Sequence, residues 1–345
     1  MSDNRAFRHA ATIRQLLVTT VVLLLLAPMA IAQKRVYGYI SPGPDTWYQR
    51  DVDGFVFGAD ADGVEVIVLN SQYDPEREIA NIETLINQGV DGISMFSFTE
   101  NGAIVAADRA RAAGIPIVVT DSVGSVAAAG REVVAEVDFD WYGMGVQYAE
   151  WMAANYPGEG FVILTGNFEA VPSKEINRGM EERAAELGKN PLVAVRETKY
   201  SPDTAVSLAQ DLVQAGEEFG ILFVMDEDMA AAVIRMLERQ GLLGNPIKVI
   251  AQNGSPAGIP LVKDGKLLYT ISSSPGWEGL IAYLALHNFV TGARSEVGQH
   301  LVLPVIEVNN DNIDDPHQVV PWEPNPIYWE LTEQYFPELL KYKAQ

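Results

Sequence analysis

Residues 114–121 read Gly114-Ile115-Pro116-Ile117-Val118-Val119-Thr120-Asp121, a helix stop followed by a buried strand and an acid. Gly114 stands just past a helical stretch, Ala103 to Ala112, where a glycine is the usual terminator. Ile115 to Thr120 is then apolar and mostly β-branched with no polar alternation, the pattern of a strand in a parallel sheet covered on both faces. The run ends in Asp121-Ser122, which places polar chemistry at the carboxyl end of that strand.

The same unit recurs on the N-terminal side. Val36 to Ile40 reads as a strand, with helical sequence from about Trp47 to Ala61, and Val64 to Leu69 is a second strand. Asp74-Pro75 supplies an N-cap and an N1 proline, after which Ile79, Ile82, Leu85 and Ile86 share one helical face. Asn87-Gln88-Gly89 stops that helix, and Ile93 to Phe96 is the next strand. The pattern restarts with strands at Phe161 to Leu164, Leu192 to Val195, Ile221 to Val224 and Lys248 to Ile250. Helices are expected over Glu175 to Leu187, from Ser201-Pro202 to Gln214, and over Met229 to Gln240. Leu267 to Val308 adds two strands and a helix over Ile281 to Phe289. Two successive sets of βα units predict an α/β protein with two doubly wound parallel-sheet lobes; a (β/α)8 barrel is the alternative this length allows. Beyond Glu323 a tail with one amphipathic helix (Leu331, Tyr335, Leu339) is expected to pack on a lobe.

Composition narrows the function. The chain has 345 residues, 46 acidic against 24 basic, for a net charge of −22. Phosphate binding needs clustered Lys and Arg, so nucleic acid and anionic membrane surfaces are poor partners. With no cysteine there is no disulfide, thiolate metal site or thiol nucleophile. Arg5, Arg8 and Arg14 precede a short apolar run, Leu16 to Leu26, and Ala30-Ile31-Ala32 offers a small-x-small cleavage site. These features predict a cleavable export signal over residues 1–32, cut after Ala32, and a periplasmic protein.

In open parallel sheets ligands sit beyond the carboxyl ends of the strands. That edge carries Pro44-Asp45-Thr46-Trp47-Tyr48, Asp121-Ser122, Tyr200, Asp226-Glu227-Asp228 and Gln252-Asn253. Carboxylates accept from adjacent hydroxyls, amides both donate and accept, and aromatic faces pack on C–H surfaces, a set that suits a polyhydroxylated ligand. Each has a structural reading too: Asp121 and Asp226 as helix caps, Trp47 and Tyr48 as core, Asn253-Gly254 as a turn. Asp60-Ala61-Asp62-Gly63 lacks the spacing and closing Glu of a calcium loop, and no cofactor or metal is expected.

These residues resemble the periplasmic sugar-binding proteins of ABC transporters, the ribose-binding-protein-like group of type I periplasmic binding proteins. The resemblance runs from about Val36 to Val308. It rests on Leu69-Asn70-Ser71-Gln72, the Asp74-to-Gly92 stretch, Gly114 to Val118 leading into Asp121, Asp226-Glu227-Asp228-Met229-Ala230, and Lys263-Asp264-Gly265-Lys266-Leu267. It implies a ligand cleft between lobes joined by three crossover hinge segments. The N-terminal lobe is expected over 34–138 plus 274–302, the C-terminal lobe over 139–273 plus 303–320, and a tail over 321–345. The family's pocket aromatics fall on Trp47 and Tyr48, the polar residue before them on Asp45, and the strand-end Asp on Asp121. The second-lobe aromatic falls on Tyr200, the Asn of the N-D-E-M-A element on Asp226, and the second strand-end Asp on Asn253. The hinge-side Gln falls on Ser273 or Ser274. Two arginines of the pattern are displaced: one position is Ser122, and the other lies among Lys174, Asn177 and Arg178. The pocket is therefore more acidic than the ribose type.

The function implied is capture of a small sugar or polyol by hinge closure and delivery to a membrane ABC permease, by a monomer. The acids beside Trp47 and Tyr48 leave a cationic solute as a rival ligand, and presentation to a chemoreceptor or sensor kinase as a rival role. The chain lacks G-x-S-x-G, H-E-x-x-H, a Walker loop and a Rossmann fingerprint. Its histidines beyond the export segment, His287, His300 and His317, fall away from the expected cleft. A hydrolase using Asp121 and Asp226 alone is the only enzymatic alternative the sequence offers, and a binding protein without catalysis is expected.

Overall fold

The computed structural model describes residues 34–97 and 99–341. The export segment expected over 1–32 and the last four residues of the tail lie outside them.

Among the described residues, β1 (Val36–Ser41) lies between β2 (Glu65–Asn70) and β3 (Gly92–Phe96). The sheet continues through β4 (Ile117–Thr120), β5 (Ala135–Phe139) and β11 (Gln299–Leu303), every pairing parallel. A second parallel sheet orders β7 (Leu192–Glu197), β6 (Phe161–Thr165), β8 (Ile221–Val224) and β9 (Lys248–Ala251). A short antiparallel pair, β10 (Thr270–Ser272) with β12 (Ile306–Val308), extends this half beside Asn253. Two open sheets thus stand where a barrel would have closed one. In each, the first strand of the set is interior and its neighbours belong to units wound in opposite directions, so each sheet has a switch point: between β1 and β3, and between β6 and β8.

The chain passes between the sheets three times: after Phe139, between β10 and the helix Pro275–Val290, and between β11 and β12. The helix Pro275–Val290 packs on the helix Thr46–Ala61 and against β3, β4 and β5, which returns the chain to the first half. That crossing is so close that a side chain on Gly54 would overlap the Gly276 carbonyl. In the second half the helices Trp141–Asn155 and Val171–Leu187 cross as intimately.

Local signals behave as their chemistry requires. Asp74 accepts from the amides of Glu76 and Arg77 to start the helix Pro75–Gln88, and Gly89 ends it at φ 69°. Several elements escape the sequence reading, among them the short helices Ser125–Ala128 and Gly258–Lys263 and a third strand where two were expected over Leu267 to Val308. The strand β5 is written Ala-Glu-Val-Asp-Phe, whose two acids argue against a core strand, yet all five residues are buried. The helix Trp141–Asn155 follows directly. The helix expected from Ile281 begins at Pro275, capped by Ser274, whose hydroxyl accepts from the Trp277 amide. In the tail, the helices Ile327–Tyr335 and Pro337–Leu340 bury Leu331 and Leu339 fully. Tyr335 remains part exposed against Trp277, with ring centroids 5.7 Å apart.

Candidate functional site

Both switch points open onto one cavity of about 620 Å³. Its first wall is aromatic. Trp47 and Tyr48 come from the first turn after β1, Phe96 ends β3, and Trp141 opens the first helix beyond the crossing. The Trp47 ring lies 5.6 Å from Phe96 and 6.4 Å from Trp141, and Tyr48 lies 4.9 Å from Phe96, mostly edge to face. Such pairs hold each other in place while leaving ring faces for a ligand.

Asp45 occupies the N-cap of the helix Thr46–Ala61 but makes no capping bond with its side chain. The carboxylate accepts instead from the Tyr73 hydroxyl, and burial raises its pKa against the lowering effect of that bond. Asp121 is fully buried. One of its oxygens accepts from the Trp141 indole at 2.6 Å, and the other has no partner among the described residues. Burial first, and the neighbouring Asp138 second, push its pKa well above the usual carboxylate range.

The loop carrying Asp121 is stitched down by the two acids of β5. The Asp138 carboxylate accepts from the Val123 amide at 2.8 Å, and that of Glu136 accepts from the Ser122 hydroxyl at 2.6 Å and from the amides of Val126 and Ala127. His300 on β11 completes the set, its Nε2 2.6 Å from Asp138. Buried acids are tolerable in this strand because each finds several donors.

From the second sheet come Tyr200, Asp226 and Asn253. The Tyr200 ring fills the space a side chain on Gly166 would take, and its hydroxyl lies 3.0 Å from that of Ser173. Asp226 accepts from the Met229 amide as the N-cap of the helix Glu227–Gln240, so capping and cavity lining coincide; burial pushes its pKa up to about 7. Asn253 accepts from the Ser273 hydroxyl at 3.4 Å, and Gln252 beside it donates to the same hydroxyl.

Backbone strain marks the same edge. Among the described residues, seven other than glycine have positive φ: Gln72, Tyr73, Asp121, Val123, Lys199, Tyr200 and Asn253. All follow the carboxyl ends of β2, β4, β7 or β9, and three of them line the cavity. Such conformations cost free energy and concentrate where a side chain must be aimed.

Seven of the eleven residues expected at a ligand therefore meet in one space: Asp45, Trp47, Tyr48, Asp121, Tyr200, Asp226 and Asn253. Four do not line it. Ser122 turns away to Glu136. Lys174 is exposed and pairs at 2.6 Å with Glu100 on a helix of the other half. Arg178 lies 4.2 Å over the Tyr142 ring and pairs with Glu175, on the outside. Ser273 is buried behind Gln252. Sequence reasoning missed Phe96, Trp141, Arg235 and Trp322, all of which line the cavity. The strand-edge rule applied to β3 gives Phe96; Trp141 was hidden with its helix.

Two doubly wound halves that share a polar, ring-lined cavity across their switch points define a bilobal small-solute receptor. The profile of the periplasmic binding protein domain matches residues 38–294, and the chain belongs to that family. It is 27% identical over 249 residues to a ribose import binding protein of Salmonella typhimurium, covering 71% of this chain and 81% of that one. To the xylitol-binding protein of Mycolicibacterium smegmatis it is 26% identical over 266 residues, 76% and 74% of the two chains. Among solved structures, an ABC transporter solute binding protein from Bacillus halodurans with bound myo-inositol superimposes with a TM-score of 0.74 at 20% identity, covering 83% of this chain and 98% of that one. A second, from Burkholderia graminis in complex with D-arabinose, gives 0.75 at 22% identity, covering 83% and 99%.

Proposed function

We propose that this protein captures a small neutral sugar or polyol between its lobes in the periplasm and hands it to a membrane ABC permease. Export by a cleavable signal ending at Ala32 belongs to the same reading. The observation that carries it is the composition of the cavity: ring faces of Trp47 and Tyr48 on one side, and the acids and amide Asp45, Asp121, Asp226 and Asn253 distributed over both halves. A ligand touching both halves favours the closed arrangement because only there are all its hydroxyls satisfied. Hinge closure in periplasmic binding proteins is the general precedent for that step. The relatives whose names state ribose and xylitol support the ligand class.

Among the described residues four carboxylates line this space, Asp45, Asp121, Asp226 and Asp228, against the single base Arg235, and that favours a cation as the second reading. The raised pKa values of Asp121 and Asp226 weigh the other way. A carboxyl that keeps its proton near neutrality attracts a cation less, and it both donates to and accepts from a hydroxyl. Isothermal titration calorimetry with D-ribose, D-xylose, L-arabinose, D-allose, xylitol, myo-inositol and a set of amines decides between them. Binding confined to the neutral compounds and insensitive to salt is expected. Binding confined to the amines and weakened by salt overturns the sugar reading.

A further inference from the structure

We propose that Trp322, supplied by the C-terminal segment, is a specificity-determining residue of the cavity and acts on sugars or polyols with an extended C–H face. The inference rests on the sugar reading and deepens it. Trp322 lies beyond residues 38–294, the stretch that the family model matches.

Three observations place it. First, Trp322 lines the cavity together with Asp45, Trp47 and Asp121, although it is some 200 to 280 residues further along the chain. Second, the segment is clamped on both flanks. The Ser274 hydroxyl donates to the Pro321 carbonyl at 2.6 Å, and the Tyr328 hydroxyl lies 2.7 Å from the Pro321 carbonyl and 2.8 Å from that of Glu323. The Glu323 carboxylate pairs with Arg50 at 3.4 Å, one turn beyond Trp47 on its helix. Gly276 has no side chain where the Trp322 carbonyl and the Tyr328 hydroxyl pass, and a methyl there would overlap both. Three independent attachments around one residue are more than a trailing segment needs.

Third, the indole is 4% exposed, and its N–H is buried with no acceptor among the described residues. A buried donor left unpaired is costly, and folds rarely leave one without a use. Tryptophan is also the side chain with the largest flat apolar face, which suits the C–H face of a sugar ring or polyol chain. The tail thereby adds a wall to the cavity, and the wall limits which ligands fit.

The test measures Kd by titration calorimetry for the six neutral compounds named above with wild type, Trp322→Phe, Trp322→Leu and Gly276→Ala, each first shown to be folded by its unfolding midpoint. The expected result is a change in rank among the ligands. The ligand wild type binds best loses at least tenfold in Trp322→Leu and three- to tenfold in Trp322→Phe. A smaller or less apolar competitor changes by less than threefold. Gly276→Ala, which displaces the clamp while leaving the indole present, shifts the ranking in the same sense. Affinities within twofold of wild type, or an equal weakening for every ligand, overturn the role of Trp322 and leave the sugar reading standing. A folded wild type that binds none of the six overturns the sugar reading itself and this inference with it.

Discussion

The Trp141 indole nitrogen, at the first residue of the first helix in the second half, donates to the Asp121 carboxylate of the first half at 2.6 Å. The bond crosses between the lobes one residue after the chain itself does. It leaves Asp121 with one oxygen committed to the protein and one without a partner. A ligand taking the second oxygen would meet an acid already oriented by the neighbouring lobe. Trp141→Phe keeps an aromatic ring beside Trp47 and Phe139 but removes the donor. It should weaken binding by about 1–2 kcal/mol, as expected for the loss of a buried hydrogen bond. It should also make the affinity fall at a lower proton concentration than in wild type, since the bond lowers the Asp121 pKa. Calorimetry from pH 5 to pH 9 reads both effects; a wild-type profile removes the coupling.

Asp121 invites the obvious alanine substitution, but its φ of 53° complicates that choice. Asparagine tolerates the left-handed region and alanine does so poorly. Asp121→Asn should retain the wild-type unfolding midpoint or exceed it at pH 8, because a buried ionisable group disappears. Its affinity should drop by about 2–3 kcal/mol. Asp121→Ala should lose about 2–4 kcal/mol of binding and some stability as well. An asparagine variant that binds within a few tenths of a kcal/mol of wild type would take Asp121 out of the ligand's reach.

The protein carries more proton-holding acids than its site needs. Burial pushes Asp51, Asp226 and Glu227 up to about 7, and Glu278, buried with both oxygens unpartnered among the described residues, well above the usual range. In the unfolded chain such groups titrate near 4. Between about pH 4 and pH 7 the native state therefore holds protons that the unfolded state has released, and stability falls as pH rises through that window. His300 acts in the same direction. Its bond to Asp138 raises its pKa, so its contribution is full below the ordinary histidine value and is lost above the folded one. The unfolding midpoint at pH 5.5 should lie roughly 5 °C above that at pH 8.5. Glu278→Gln should narrow the gap, and a midpoint that climbs with pH contradicts the account.

How legible this was in the chain depends on what each residue is buried against. Strands such as Ile117–Thr120 announce themselves because both faces meet apolar partners, and Asp74 and Gly89 bracket their helix by local chemistry alone. The strand β5 does not, because Glu136 and Asp138 are satisfied by amides of a loop some ten residues earlier and by His300 some 160 residues later. No local pattern records such partners. The helix Pro275–Val290 is buried on nearly every side and so has no amphipathic period to read. Seven site residues were found because the strand-edge rule and the family pattern agree on them. Trp322 was not, since its contact with the cavity exists only through the packing of the tail.

Lys174 tests the boundary of the site. The family pattern puts a base near it, yet its ammonium pairs at 2.6 Å with Glu100, joining the two halves at the outside, and both side chains are substantially exposed. An exposed pair of this kind is worth about 0–1 kcal/mol and is screened by salt. If it holds the lobes together only in the closed arrangement, Lys174→Ala should weaken ligand binding by no more than about fivefold. Most of that loss should vanish in 0.5 M NaCl, where wild type loses the same increment. Tyr200→Ala, which empties a wall of the cavity, should lose well over tenfold at either salt concentration. A Lys174→Ala loss that matches Tyr200→Ala and persists in high salt would mean that the ammonium reaches the ligand, and that the cavity closes further around it than its present lining suggests.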